Sequence, residues 1–222
     1  MFKALGIIIG ISLLTISATG QIPKRIPLNR LQQDSLKSEV EKMLILDQKY
    51  RWMIMLGELD ENKLKELKTL NDNDKSTRFR NVLDNKTGIS QFQKDSLGLL
   101  QSEIDNTNFT NLSNIIHKYG YPKKYIKSYK ISTIFLHSDP HLMSDSFLNV
   151  LFDEVKNKNM PALDYAIIYD KVQLENKYPE RYYVLEHFNP LTHTSECNKP
   201  GDIAVTNKAR KEIGLKKIRK QY

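Results

Sequence analysis

Residues 131–155, ISTIFLHSDPHLMSDSFLNVLFDEV, decide how the rest of the chain is read. Ile131, Ile134 and Phe135 lead into HSDPH at 137–141. Met143, Phe147, Leu148, Leu151, Phe152 and Val155 then recur at the three- and four-residue spacings that stack on one helix face. The pattern predicts helix, polar break, helix. Asp139 directly before Pro140 has the form of a helix start, because its carboxylate can accept from first-turn amides and proline has no amide to leave unpaired. His137 closes an apolar segment three residues after Ile134, so its ring needs a polar partner once buried.

At 222 residues with 40% hydrophobic content, the chain can bury one core, and a single domain is expected. Thirty-four basic against 26 acidic residues give a net charge of +8. That is a mixed surface with a basic excess; beyond charge, nothing points to nucleic acid as a partner. Lys3, the apolar run 4–16 (ALGIIIGISLLTI) and the small residues ending at Gly20 have the three parts of a cleavable secretory signal. The run is shorter than the roughly 20 residues that a membrane span needs. Export to the periplasm or the outside is therefore expected, with cleavage after Gly20 and no span left behind. No cysteine stands at the cut, and the sole cysteine, Cys197, excludes an intramolecular disulfide while leaving an intermolecular one open.

Residues 21–34 contain two prolines and no periodicity, and read as a tether; the domain is expected from residue 35 to 222. From Ser35, the residues Leu36, Val40, Met43, Asp47, Tyr50 and Ile54 fall on one helical line. Arg51, four residues beyond Asp47, projects from the same side and is expected to pair with it. A charged helix follows at 60–70, then a loop or poorly packed helix at 75–90 and two helical segments at 90–104 and 109–119, stopped by Gly120. Residues 118–130 interleave four tyrosines with five lysines. That composition can stack on bases, but the favoured reading is a connector with tyrosines inward and lysines in water. Leu163, Ile167, Asp170 and Leu174 share a face of a later helix, so Asp170 repeats the placement of Asp47. Residues 178–188 are the best candidate for a strand or hairpin, His187 and His193 are placed in a loop, and 207–215 reads as a short helix before a basic tail. The fold class expected is mostly α: one irregular domain of about six to eight helices, with a small β-hairpin in the C-terminal third.

His137-x-Asp139-x-His141 invites a metal, yet Pro140 keeps one continuous helix from presenting both rings, and capping accounts for Asp139; no metal is expected. Ser138 lacks the glycine-rich elbow of a nucleophile, and no phosphate-cradling loop or dinucleotide fingerprint occurs, so no cofactor is implied. What remains is Asp47, Arg51, His137 and Asp170, each on the apolar side of an expected helix. Buried singly they would be costly, so they should converge.

The order of short motifs resembles a bacterial family of unknown function. Its members carry an Asp-Gln-x-x-Arg helix, a Gly-Trp-Pro turn, a Gln-His-x-Asp segment, an Ala-x-x-x-Asp-Arg-Val helix, a Gln-x-Tyr-Gly-Thr-Gln strand and a terminal Arg-Arg-x-Glu-x-Gly-Leu helix. The counterparts here are DQKYR at 47–51, GYP at 120–122, HSD at 137–139, AIIYDKV at 166–172 and ARKEIGL at 209–215, with Leu136 in place of Gln, Lys171 in place of Arg, and only Tyr182 kept from the strand motif. The resemblance implies a residue list and no activity. Joined to the reading above, it gives His137, Asp47 and Asp170 as candidate catalytic residues and Arg51, Gln48, Asp139 and Tyr182 as candidate ligand-binding residues. The functions expected are an exported globular protein binding a small ligand or another exported protein in a polar cleft, a hydrolase-type enzyme with His137 as general base, or a structural polar network.

Overall fold

The computed structural model describes residue 25 and residues 27–84, 88–124, 128–189 and 194–219; the expected signal segment and His193 lie outside them. The first helix, α1 (Arg30–Asp47), starts earlier than residue 35 because Asn29 and Gln32 close a capping box: each side chain accepts the other's amide at 3.0 Å. The described part of the expected tether is therefore docked. Leu28 packs on the core, and the Arg25 guanidinium pairs with Glu154, which is buried. Gly120 makes that pairing possible: at φ +85 it has no Cβ, and one built there would stand 2.7 Å from the guanidinium carbon.

Helix α1 buries Leu36, Val40, Met43 and Asp47 on one line. The line does not continue to Ile54 in a single helix. The chain turns at Gln48, and α2 (Lys49–Leu56) sets off anew. Helix α3 (Glu61–Lys68) packs a smaller apolar cluster of Met53, Leu56 and Leu64 with α2; α4 (Asp72–Leu83) lies on α2 and buries only Val82, which makes it the loosely held helix of the expected alternatives.

The two segments expected between 90 and 119 form one helix, α5 (Gln91–Tyr119). Polar residues 105–108 look like a break in sequence, but they include no glycine or proline, and Asp105 and Asn108 are buried with partners on neighbouring elements: Asn108 Nδ2 donates to the Met43 carbonyl at 3.0 Å. Helix α6 (Ser128–His137), a 3-10 turn at Pro140–Leu142, α7 (Asp145–Lys156) and α8 (Ala162–Glu175) follow. Helix α5 packs on α1, α2 and α6, α6 packs on α8, and the rings of Phe109, Phe135 and Phe147 meet at the centre with centroids 5.4 to 6.0 Å apart. In α8 the buried set is Tyr165, Ala166, Ile168, Asp170 and Val172; Leu163 and Leu174, expected to share the inner face with Asp170, are exposed.

The hairpin lies later than expected. Strand β1 (Glu186–Asn189) pairs antiparallel with β2 (Thr194–Cys197), so His187 belongs to a strand and residues 178–185 are irregular. The cause is competition for amides: Asp170 takes the N–H groups of Arg181, Tyr182 and Val184, which a ladder would need. Helix α9 (Ile203–Glu212), capped by Asp202, covers the core with Ala209, and Cys197 is exposed. The chain is mostly helical, and among the described residues no helix is long and apolar enough to cross a membrane.

Candidate functional site

The joint between α1 and α2 sets the site. Asp47 ends α1 with 1% of its surface exposed, and its carboxylate receives two side chains: Nδ1 of His137, at 2.8 and 2.9 Å from the two oxygens, and the Gln48 amide at 2.6 Å. His137 arrives at the last residue of α6 with 29% of its side chain exposed. With Nδ1 held by Asp47, the ring is fixed in orientation, and Nε2 makes no hydrogen bond among the described residues. Gln48 thus supports Asp47 from inside the cluster.

The expected pairing of Asp47 with Arg51 does not form. Their four-residue spacing makes neighbours only on a continuous helix, and the turn at Gln48 breaks it. Arg51 pairs instead with Asp105 of α5, while its Nε is buried without a partner among the described residues. Gln101, one turn before Asp105 on α5, binds the joint together. Its amide donates to the Asp47 carbonyl at 3.0 Å and to Asp105 at 2.8 Å, and its oxygen accepts the Tyr50 N–H at 2.9 Å, one of the first-turn donors of α2 that has no partner inside the helix. Burial raises the Asp105 carboxyl above its ordinary value; the Gln101 and Arg51 contacts pull the other way, and the nearby Asp47 charge adds to the rise.

Lys171 of α8 completes the cluster. Its ammonium donates to the carbonyls of Leu136 and Ser138 at the C-terminal end of α6, where a helix favours a cation. Burial lowers its pKa, and the field of Arg51 lowers it further against the opposing charges of Glu175, Asp139 and Asp105. Asp139 caps the 3-10 turn through the His141 N–H at 2.9 Å and thereby holds the bend beside His137. Among the described residues, no three His, Cys, Asp or Glu side chains are grouped to hold a metal.

Asp170 and Tyr182 are turned to other work. Asp170 is 0% exposed and accepts three backbone amides, from Arg181 at 2.8 Å, Tyr182 at 2.9 Å and Val184 at 3.2 Å. Its pKa is raised, by burial first, despite those donors. Tyr182 packs in the core against Tyr165 and Tyr169, with ring centroids 5.9 and 5.5 Å away, and burial pushes its phenol up to about 12. Asp170 is therefore a clamp on a loop and not a partner of His137, and Tyr182 is a core residue and not a wall of the cleft. Successive helix residues point about 100° apart, which gives the loop to Asp170 and the cluster to its neighbour Lys171.

The structure thus unites Asp47, Gln48, Arg51, His137 and Asp139 with three residues that sequence reasoning passed over: Gln101, Asp105 and Lys171. The only trace of the first two in the sequence is their four-residue spacing on an otherwise helical stretch. In the 118–130 segment Tyr121 is buried and Lys123 and Lys124 are exposed, in keeping with a connector; Tyr125 lies outside the described residues. Compared with protein-family models, curated proteins and solved structures, the chain matches none.

Proposed function

We propose that this is an exported globular protein that binds a small polar ligand at the exposed edge of His137. The carrying observation is the His137 ring itself: Asp47 holds Nδ1, part of the side chain is open to solvent, and Nε2 has no partner among the described residues. A purely structural polar network closes its donors and acceptors on one another; here the partly exposed ring keeps one nitrogen without a partner among the described residues, and the Lys171 ammonium sits on the carbonyls of the two flanking residues, Leu136 and Ser138. Mass spectrometry of small molecules carried through purification by the natively expressed protein tests the reading. A molecule retained by the wild type and lost from a folded His137→Ala variant supports it; no retained molecule, or equal retention by both, counts against it.

The same geometry supports a second reading. A histidine oriented through Nδ1 by a buried carboxylate is arranged to take a proton at Nε2, the role of a general base in a hydrolase. A screen of hydrolase substrates with the wild type and His137→Ala distinguishes an enzyme from a binder: activity abolished in the folded variant favours the enzyme. Export is supported by Lys3, the apolar run 4–16 and the small residues up to Gly20. N-terminal sequencing of the protein from fractionated cells should find Gln21 first, outside the cytoplasm; an intact Met1 in the cytoplasm would contradict export.

A further inference from the structure

A cleft of about 640 Å³ lies between residues 179–183 and α9, where Asp202, Val205 and Lys208 line its other side. Glu180 is 4% exposed; Oε1 accepts from the Asn198 amide, and Oε2 is buried with no hydrogen-bond partner among the described residues. A sealed carboxylate oxygen with no donor is rare in a native fold and calls for a reason. Nearby, Arg181 pairs with Glu212 at 2.9 Å, and the Asp202 carboxylate caps α9. Glu180 itself has no ion-pair partner among the described residues, on a chain of net charge +8. The backbone of Tyr183, which also lines this cleft, is left-handed at φ +52, and Asp170 holds it there by accepting the amides on either side, from Tyr182 and Val184. A non-glycine residue kept in that region by its surroundings is a recurrent mark of ligand sites.

We propose that this cleft binds a small organic cation, whose ammonium or guanidinium N–H donates to Oε2 of Glu180. Pro179, Tyr183 and Val205 cover the apolar part of the ligand, and Asn198, itself exposed, swings aside to uncover the carboxylate. The site is separate from the one His137 borders, so either can fail without the other. The test is an NMR titration of the full chain with n-butylammonium, and with butyramide as a neutral probe of similar length. Saturable shifts at the amides of Asn198, Val205 and Lys208 are expected with the cation and not with the amide. Glu180→Gln should weaken binding about tenfold or more, the loss of one charge-assisted hydrogen bond. Val205→Arg, at the exposed rim, should abolish binding without touching the buried carboxylate, and it carries the test if Glu180→Gln does not fold. No saturable shift in the wild type, an equal response to butyramide, or unchanged affinity in Val205→Arg or in a folded Glu180→Gln would overturn the proposal.

Discussion

Asp47 and Asp170 occupy equivalent places in the sequence pattern, each an acid on the apolar side of a helix, and each is almost wholly buried. Their partners divide them. Asp170 is surrounded by three backbone amides and shapes residues 181–184; Asp47 is surrounded by side chains, and one of them, His137, reaches solvent. A buried acid that holds backbone fixes a loop, whereas one that holds a half-exposed imidazole fixes the orientation of a reactive group. Burial alone therefore says little about function; the identity of the partner says more.

The comparison can be broken first at Asp170. Asp170→Ala removes the acceptor of three backbone amides, that of Tyr182 buried and those of Arg181 and Val184 part-buried; at about 1 to 3 kcal/mol for a buried group and less for the others, a loss of about 3 kcal/mol is expected by urea denaturation. A loss below about 1 kcal/mol would show that the loop holds itself. The aromatic cluster beside that loop sharpens the contrast through pH. Tyr182 has a folded-state pKa of about 12 against an ordinary value of 10.0, so its contribution to stability is fully present below pH 10 and is lost as pH rises toward 12. At about 1.4 kcal/mol per pH unit, about 2 to 3 kcal/mol should disappear over that window. Burial raises the neighbouring Tyr165 phenol as well, so Tyr182→Phe should lessen but not remove the alkaline fall seen in denaturation curves taken from pH 9 to 12; an unchanged slope would place the buried titration elsewhere. At the other region, Asp105→Ala removes the acceptor of both Gln101 and Arg51. A loss of about 2 kcal/mol is expected, smaller because Arg51 can turn to water, and Leu→Ala-sized losses would mean that the α1–α2 joint depends on this one residue.

The course of the chain explains which of these features the sequence discloses. Leu36, Val40, Met43 and Asp47 follow the helical period, and the structure buries all four. That Asp47 meets His137 and not Arg51 depends on the turn at Gln48, and no residue there is a glycine or proline that would announce it. Asp105 and Asn108 resemble a linker because polar residues in a row normally face water; their partners sit on α1 and α2, more than 50 residues earlier in the chain. The same holds for Tyr182, whose place in a would-be strand is overridden by a carboxylate on α8 that takes its amide. Periodicity reports which side of an element is buried, and tertiary contacts then decide what that side meets. The Asn29 cap differs: its partner Gln32 is only three residues away and the box is written locally, yet the two prolines before it give 21–34 the look of a tether.

The most direct test of the difference between the two regions is the unfolding free energy of His137→Ala measured beside that of Asp170→Ala at neutral pH. Because water can reach the space the half-exposed ring leaves and hydrate Asp47, His137→Ala should cost about 1 kcal/mol or less, well below the loss at Asp170. A His137→Ala loss as large as that of Asp170→Ala would contradict the account and make His137 part of the scaffold.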